Sequence, residues 1–161
     1  MKRFVMAIGI ALVLGAGCSG CAGPRAPRRA PDMEKVMSVT AYCNCGQCCG
    51  WTRNRLGRPI ETATGRPKRV GQTASGVMAR HGTVAAPRDI PFGTIVYVEG
   101  YGYGRVEDRG GAIRGNRLDL WFPSHQAALN WGRQSVQVKF WLPDSDSESR
   151  PSAPSDRRRR R

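Results

Sequence analysis

Two aspartates eleven positions apart, Asp108 and Asp119, are the side chains best suited to chemistry in this chain. Paired carboxyl groups can deliver a proton to a leaving oxygen and stabilise, or attack, the carbon left behind. Asp119 sits in Leu118-Asp119-Leu120-Trp121-Phe122, a strand-like run where an acid is out of place without a task or a partner. Asp108 ends a second apolar run and opens the loop Gly110, Gly111, Ala112, Ile113, Arg114, Gly115, Asn116. Glycines at that density suit a backbone that turns tightly or lets another molecule approach. Both aspartates could instead be turn or cap residues; that reading is weaker for Asp119, whose flanking side chains want burial. A free aspartate titrates near ~3.9, so a general acid at neutral pH needs its pKa raised. Arg109, Arg114 and Arg117 would lower it and must point away from Asp119, whereas burial and the charge of Asp108 would raise it.

The elements that must position these groups are short. Apolar runs at 36–42, 73–80, 83–86, 94–99, 103–108, 117–122 and 135–142 read as strands split by Gly and Pro, a pattern that suits a small closed barrel. One helix is expected, capped by Ser124 and ended by Gly132. His125 falls in its first turn and reads as a surface residue, and His81 as a turn residue; neither has the ordered partners of a triad. Residues 52–70 show no strand or helix period and read as a long basic loop, either a solvated insertion or a rim for an anionic substrate.

The run Asp-Arg-Gly-Gly-Ala-Ile-Arg-Gly-Asn-Arg-Leu-Asp at 108–119 resembles the signature of the three-aspartate (3D) domain, which also occurs in the catalytic barrel of membrane-bound lytic murein transglycosylases. Val39-Thr40-Ala41-Tyr42-Cys43, Thr73-Ala74-Ser75-Gly76, Val84-Ala85-Ala86, Ile90-Pro91-Phe92-Gly93-Thr94 and Gly100-Tyr101-Gly102 match segments of that domain in order, so the resemblance covers 36–142. It implies a mainly β fold, a six-stranded double-psi β-barrel with one short helix, and cleavage of peptidoglycan glycan strands. Asp119 takes the place of the catalytic acid and Asp108 that of the supporting acid. Gly110, Gly111, Ala112, Thr73, Ser75 and Asp89 are the implied substrate contacts. The chain departs from the pattern at Ala86, where the family's first aspartate stands; Asp89 lies three positions on.

The resemblance implies a lytic transglycosylase giving an anhydro-muramic product. The alternatives are a wall-binding barrel without turnover, a two-carboxylate glycoside hydrolase on the same site, and a metal or redox protein built on the cysteines.

At 161 residues the chain holds one domain plus tails, and its net charge is +14. Between residues 33 and 143 there are 15 Lys or Arg against 7 Asp or Glu, a surface that suits polyanions such as cell-wall polymers. No aromatic-basic RNA motif or groove-binding basic helix is present, so nucleic acid is not the expected partner. Residues 1–22 read as an export signal with a charged start and an apolar stretch too short to span a bilayer. Cys18 resembles a lipoprotein lipidation site, with Cys21 or ordinary cleavage after Ala22 as alternatives. The expected location is the periplasmic face of a membrane or the envelope, as a lipid-anchored monomer. A Pro/Arg-rich linker follows over 23–35, the domain over 36–142, and a disordered Arg-rich tail over 143–161.

Cys43, Cys45, Cys48 and Cys49 fall within seven residues. Four thiolates can in principle bind zinc, yet ligands this crowded close one tetrahedron with difficulty. In an exported chain an even cysteine count favours disulfides, with Cys43 or Cys45 paired across to Cys48 and Cys49 to staple a loop beside the groove. No metal and no cofactor are expected.

Overall fold

The computed structural model describes residues 23–144. The expected export signal, the lipidation candidate Cys18 and all but the start of the Arg-rich tail lie outside the described residues. The elements follow in the order β1 (Met33–Tyr42), α1 (Gly46–Cys49), β2 (Trp51–Arg53), β3 (Pro59–Glu61), β4 (Thr83–Ala85), β5 (Ile95–Val98), β6 (Gly102–Asp108), β7 (Arg117–Trp121), α2 (His125–Trp131) and β8 (Gln134–Trp141). No helix among the described residues is long and apolar enough to cross a membrane.

Six strands close the barrel expected from the sequence, in the order β1-β7-β4-β6-β5-β8. β1 runs parallel to β7 and β4 parallel to β6, while the remaining neighbours are antiparallel. Strand alternation fills the interior: Val39, Val84, Val96, Val98, Val106, Leu118, Leu120, Val138 and Phe140 are fully buried. β7 shows the rule most plainly, with Leu118 and Leu120 inward and Arg117, Asp119 and Trp121 on the other face. An acid between two leucines is therefore no conflict, because a period of two sends it to the opposite side.

α2 packs against β1. Ser124 Oγ accepts a bond from the Ala127 N–H at 3.1 Å, as expected of its N-cap, and Gly132 follows the last turn. Trp131 and Phe122 pack with Tyr101 against the core, ring centroids 5.4–6.2 Å apart.

Three local expectations are corrected. Residues 52–70 are not one long loop, because β2 and β3 pair antiparallel as a separate hairpin. Residues 73–80 form turns and no strand: Thr73 N–H bonds Val77 O at 2.9 Å, closing a tight turn around Gly76, whose φ is 89°. The cysteine segment holds a second helix, α1, which the sequence reading left out. Its N-cap is Cys45, whose sulfur accepts from the Cys48 N–H, and Gly50 at φ 60° ends it.

Candidate active site

Strand register brings the two acids together. β4 lies between β6 and β7, and Ala85 pairs with Asp119 on one side and with Asp108 on the other. The register shifts between Val84 and Ala85, so Asp108 and not Glu107 stands opposite Ala85. Glu107 turns instead to Arg80 and Thr83, which bond it at 2.9 Å each. On the parallel side, Thr40 pairs with Asp119 and Tyr42 with Trp121. Thr40, Tyr42, Ala85 and the two aspartates thus gather in one region, beside a small second core cluster of Tyr42, Ala85 and Ile113.

A cleft of about 300 Å³ opens there, lined by Asp108 and Asp119 together with Tyr42, Asn44, Lys68, Arg109, Gly110 and Gly111. Asp108 is held by three donors. Tyr42 Oη donates to its Oδ2 at 2.8 Å, and the N–H groups of Ala74 and Arg109 donate to its Oδ1 at 2.9 and 2.8 Å. Asp119 accepts one bond, from Thr40 Oγ1 at 2.8 Å. Burial pushes its pKa up to about 6, the charge of Asp108 adds to the rise, and Thr40 and Arg117 oppose it without winning. Burial and the nearby Asp108 also hold the Tyr42 hydroxyl well above the usual phenol range, so it stays a donor.

The nearby arginines are tied to backbone carbonyls. Arg109 bonds Ala86 O at 3.0 Å and Ile90 O at 2.7 Å and lies over the ring of Phe92. Arg114 bonds Gly111 O at 3.1 Å and Arg117 bonds Ala112 O at 3.2 Å. Arg117 nonetheless still acts on Asp119 through its charge.

The implied substrate contacts separate in space. Gly110 and Gly111 line the cleft. A Cβ on Gly110 would meet Ile113 Cγ1 at 2.7 Å, whereas Gly111 faces open space, so packing alone accounts for the first glycine. Ala112 is exposed and its carbonyl anchors Arg117. Asp89 lines a neighbouring cavity that shares Arg109, Gly110 and Gly111, and Ala86 is fully buried. Thr73 and Ser75 do not line the cleft: their hydroxyls lie 3.1 Å apart, and the Ser75 N–H bonds Glu107 O. It is the intervening Ala74 N–H that reaches Asp108.

The cysteines also depart from expectation. No disulfide joins Cys43, Cys45, Cys48 or Cys49 in this structure. The first three turn toward His125, which is half-buried against them and not the surface residue expected. Cys49 turns elsewhere and donates to Cys43 O at 3.1 Å. Asn44 ties this segment to the cleft by accepting from Trp121 Nε1 at 2.8 Å and Trp51 Nε1 at 2.9 Å. Thr40, Tyr42 and His125 were missed as site residues. Thr40 and Tyr42 lay inside a quoted segment, but only pairing with β7 gives their hydroxyls an acid to face.

Comparison with known proteins agrees with the expected family. The chain is 42% identical over 111 residues to YabE of Bacillus subtilis (strain 168), a protein named for cell wall shaping, covering 66% of this chain and 23% of that protein. It is 45% identical over 108 residues to the cell wall-binding protein YocH of the same organism, covering 67% and 33%. The chain therefore spans a third or less of the length of the curated relatives it matches. The crystal structure of MltA from E. coli aligns with a TM-score of 0.36 and 22% identity, over 48% of this chain and 30% of that one. Residues 82–142 match the family model described as the 3D domain, and Asp108 and Asp119 both fall inside that match.

Proposed function

We propose that the protein acts on cell-wall peptidoglycan outside the cytoplasm and cleaves its glycan strands as a lytic transglycosylase. The observation that carries this reading is the pairing, in one open cleft, of a carboxyl held near 6 with a second acid fixed by three donors. The protonated Asp119 gives its proton to the glycosidic oxygen as that bond breaks and the anomeric carbon becomes cation-like. The 6-hydroxyl of the same muramyl residue attacks that carbon, and Asp119, now a carboxylate, takes the hydroxyl proton. The products are a free 4-hydroxyl on one fragment and a 1,6-anhydro end on the other, with no water consumed. Asp108 keeps a fixed orientation and stabilises the positive charge on the ring. The basic surface suits an anionic wall, and lipidation at Cys18 would hold the monomer at a membrane.

A second reading, a barrel that binds the wall without turnover, draws on Ala86 in place of the first aspartate and on relatives named for wall binding and shaping. Mass spectrometry of the soluble fraction from sacculi incubated with the protein decides between them. Anhydro-terminated fragments that vanish with Asp119→Asn support the transglycosylase. Water-terminated reducing ends point to a hydrolase that uses Asp108 and Asp119 as a pair. Retention on sacculi with no soluble product, equal in both forms, leaves only the binding module.

A further inference from the structure

Cys43, Cys45, Cys48 and His125 place one ligand atom each within 4.8 Å of one another. Cys43 Sγ and Cys48 Sγ are 3.8 Å apart, and His125 Nδ1 lies 3.6 Å from Cys45 Sγ and 3.4 Å from Cys48 Sγ. With zinc–sulfur bonds of about 2.3 Å and zinc–nitrogen bonds of about 2.0 Å, a tetrahedron has edges of about 3.8 Å between sulfurs and about 3.5 Å between sulfur and nitrogen. The three separations match those edges closely. Disulfide-bonded sulfurs would instead sit about 2.05 Å apart.

We infer that these four residues form a structural zinc site that locks α1 to the first turn of α2. Its ligands are three thiolates and a neutral imidazole, a soft, closed set that leaves no position for a substrate and suits zinc over magnesium or calcium. The backbone is already arranged for thiolate ligands: the Cys45 N–H points at Cys43 Sγ and the Cys48 N–H at Cys45 Sγ, both at 3.4 Å. The crowding that argued against zinc in the sequence disappears, because the fourth ligand arrives from 77 positions beyond Cys48. Ser124 caps the helix that presents it. Asn44, inside the ligand run, lines the cleft and holds Trp121, two residues from Asp119. The metal would thus stiffen one wall of the cleft without touching substrate. The site is independent of the proposed cleavage chemistry.

The test uses the full chain purified without added metal or chelator. Elemental analysis is expected to give one zinc per chain, released when a mercurial blocks the thiols. The chelated protein refilled with Co²⁺ is expected to show a thiolate-to-cobalt charge-transfer band and the intense d–d bands of a tetrahedral ion. Cys48→Ser and His125→Ala are expected to lose the zinc, while Cys49→Ser retains it, since that sulfur faces Cys43 O. Should the Cys48 and His125 variants not fold, the cobalt spectrum of the wild-type chain decides alone. Wild-type protein lacking zinc and showing no tetrahedral cobalt spectrum overturns the site, as does intact-mass evidence that the four thiols are paired in disulfides. Equal zinc loss in Cys49→Ser and Cys48→Ser overturns the ligand assignment.

Discussion

Thr40 stands directly beside Asp119 across the parallel β1–β7 pair, and its hydroxyl donates to the carboxyl at 2.8 Å. It is the donor that opposes burial at the group proposed to move protons. Thr40→Val keeps the shape and removes that donor. Because the lost bond favoured the charged form, the pKa of Asp119 should rise by about one unit. The measurement is the alkaline limb of kcat/KM: under the proposed mechanism the wild-type rate should fall as pH rises through about 6, and in Thr40→Val the fall should come at higher pH. An unmoved limb would assign it to another group.

Asp119→Asn removes the transferable proton but preserves the volume. Muropeptide release should fall by about 10²–10⁴-fold. Stability should move the other way at neutral pH. Burial raises the folded-state pKa of Asp119, so its favourable contribution is complete near pH 4 and is lost as pH rises through about 6. The variant should therefore be more stable than the wild type at pH 7.5, by on the order of 1–3 kcal/mol, with the gap closing toward pH 4. Denaturant melts at both pH values check this.

Tyr42→Phe deletes one of the three donors on Asp108 while keeping the buried ring. A loss of about 1 kcal/mol in stability is expected. Turnover should fall with little change in KM, since the hydroxyl orients an acid and does not bind the sugar itself in the proposed mechanism. A change confined to KM would place the hydroxyl on the substrate instead.

The adjacent glycines should behave differently. Gly110→Ala drives a methyl to 2.7 Å from Ile113 Cγ1 and should cost about 1–3 kcal/mol, read as a lowered midpoint in urea. Gly111→Ala meets open space and should leave the midpoint unchanged. If the loop contacts the glycan at Gly111, the added methyl raises KM alone.

Much of the barrel is legible in the residues because local rules produce it. Alternation in β7 and β8, Gly and Pro at the breaks and the Ser124 cap on α2 each act over a few positions. The 52–70 segment was misread because β2 and β3 are three residues each, too short to show a period. The 73–80 run was misread because its β-prone residues are spent on a turn that delivers the Ala74 N–H to Asp108.

The sequence by itself determined the composition of the site, two acids bracketing a glycine loop, and the family to which that loop points. It also carried the barrel's interior, since a period of two separates inward from outward residues without knowledge of any partner. Only the tertiary structure decided what surrounds each acid. The one-residue shift at Ala85 selects Asp108 over Glu107, parallel pairing supplies Thr40 and Tyr42, and the docking of α2 carries His125 to three cysteines. The physical reason is shared: most of the hydrogen-bond donors and ligands come from residues dozens of positions away, chosen by strand register and by the docking of α2, which spacing along one chain does not encode.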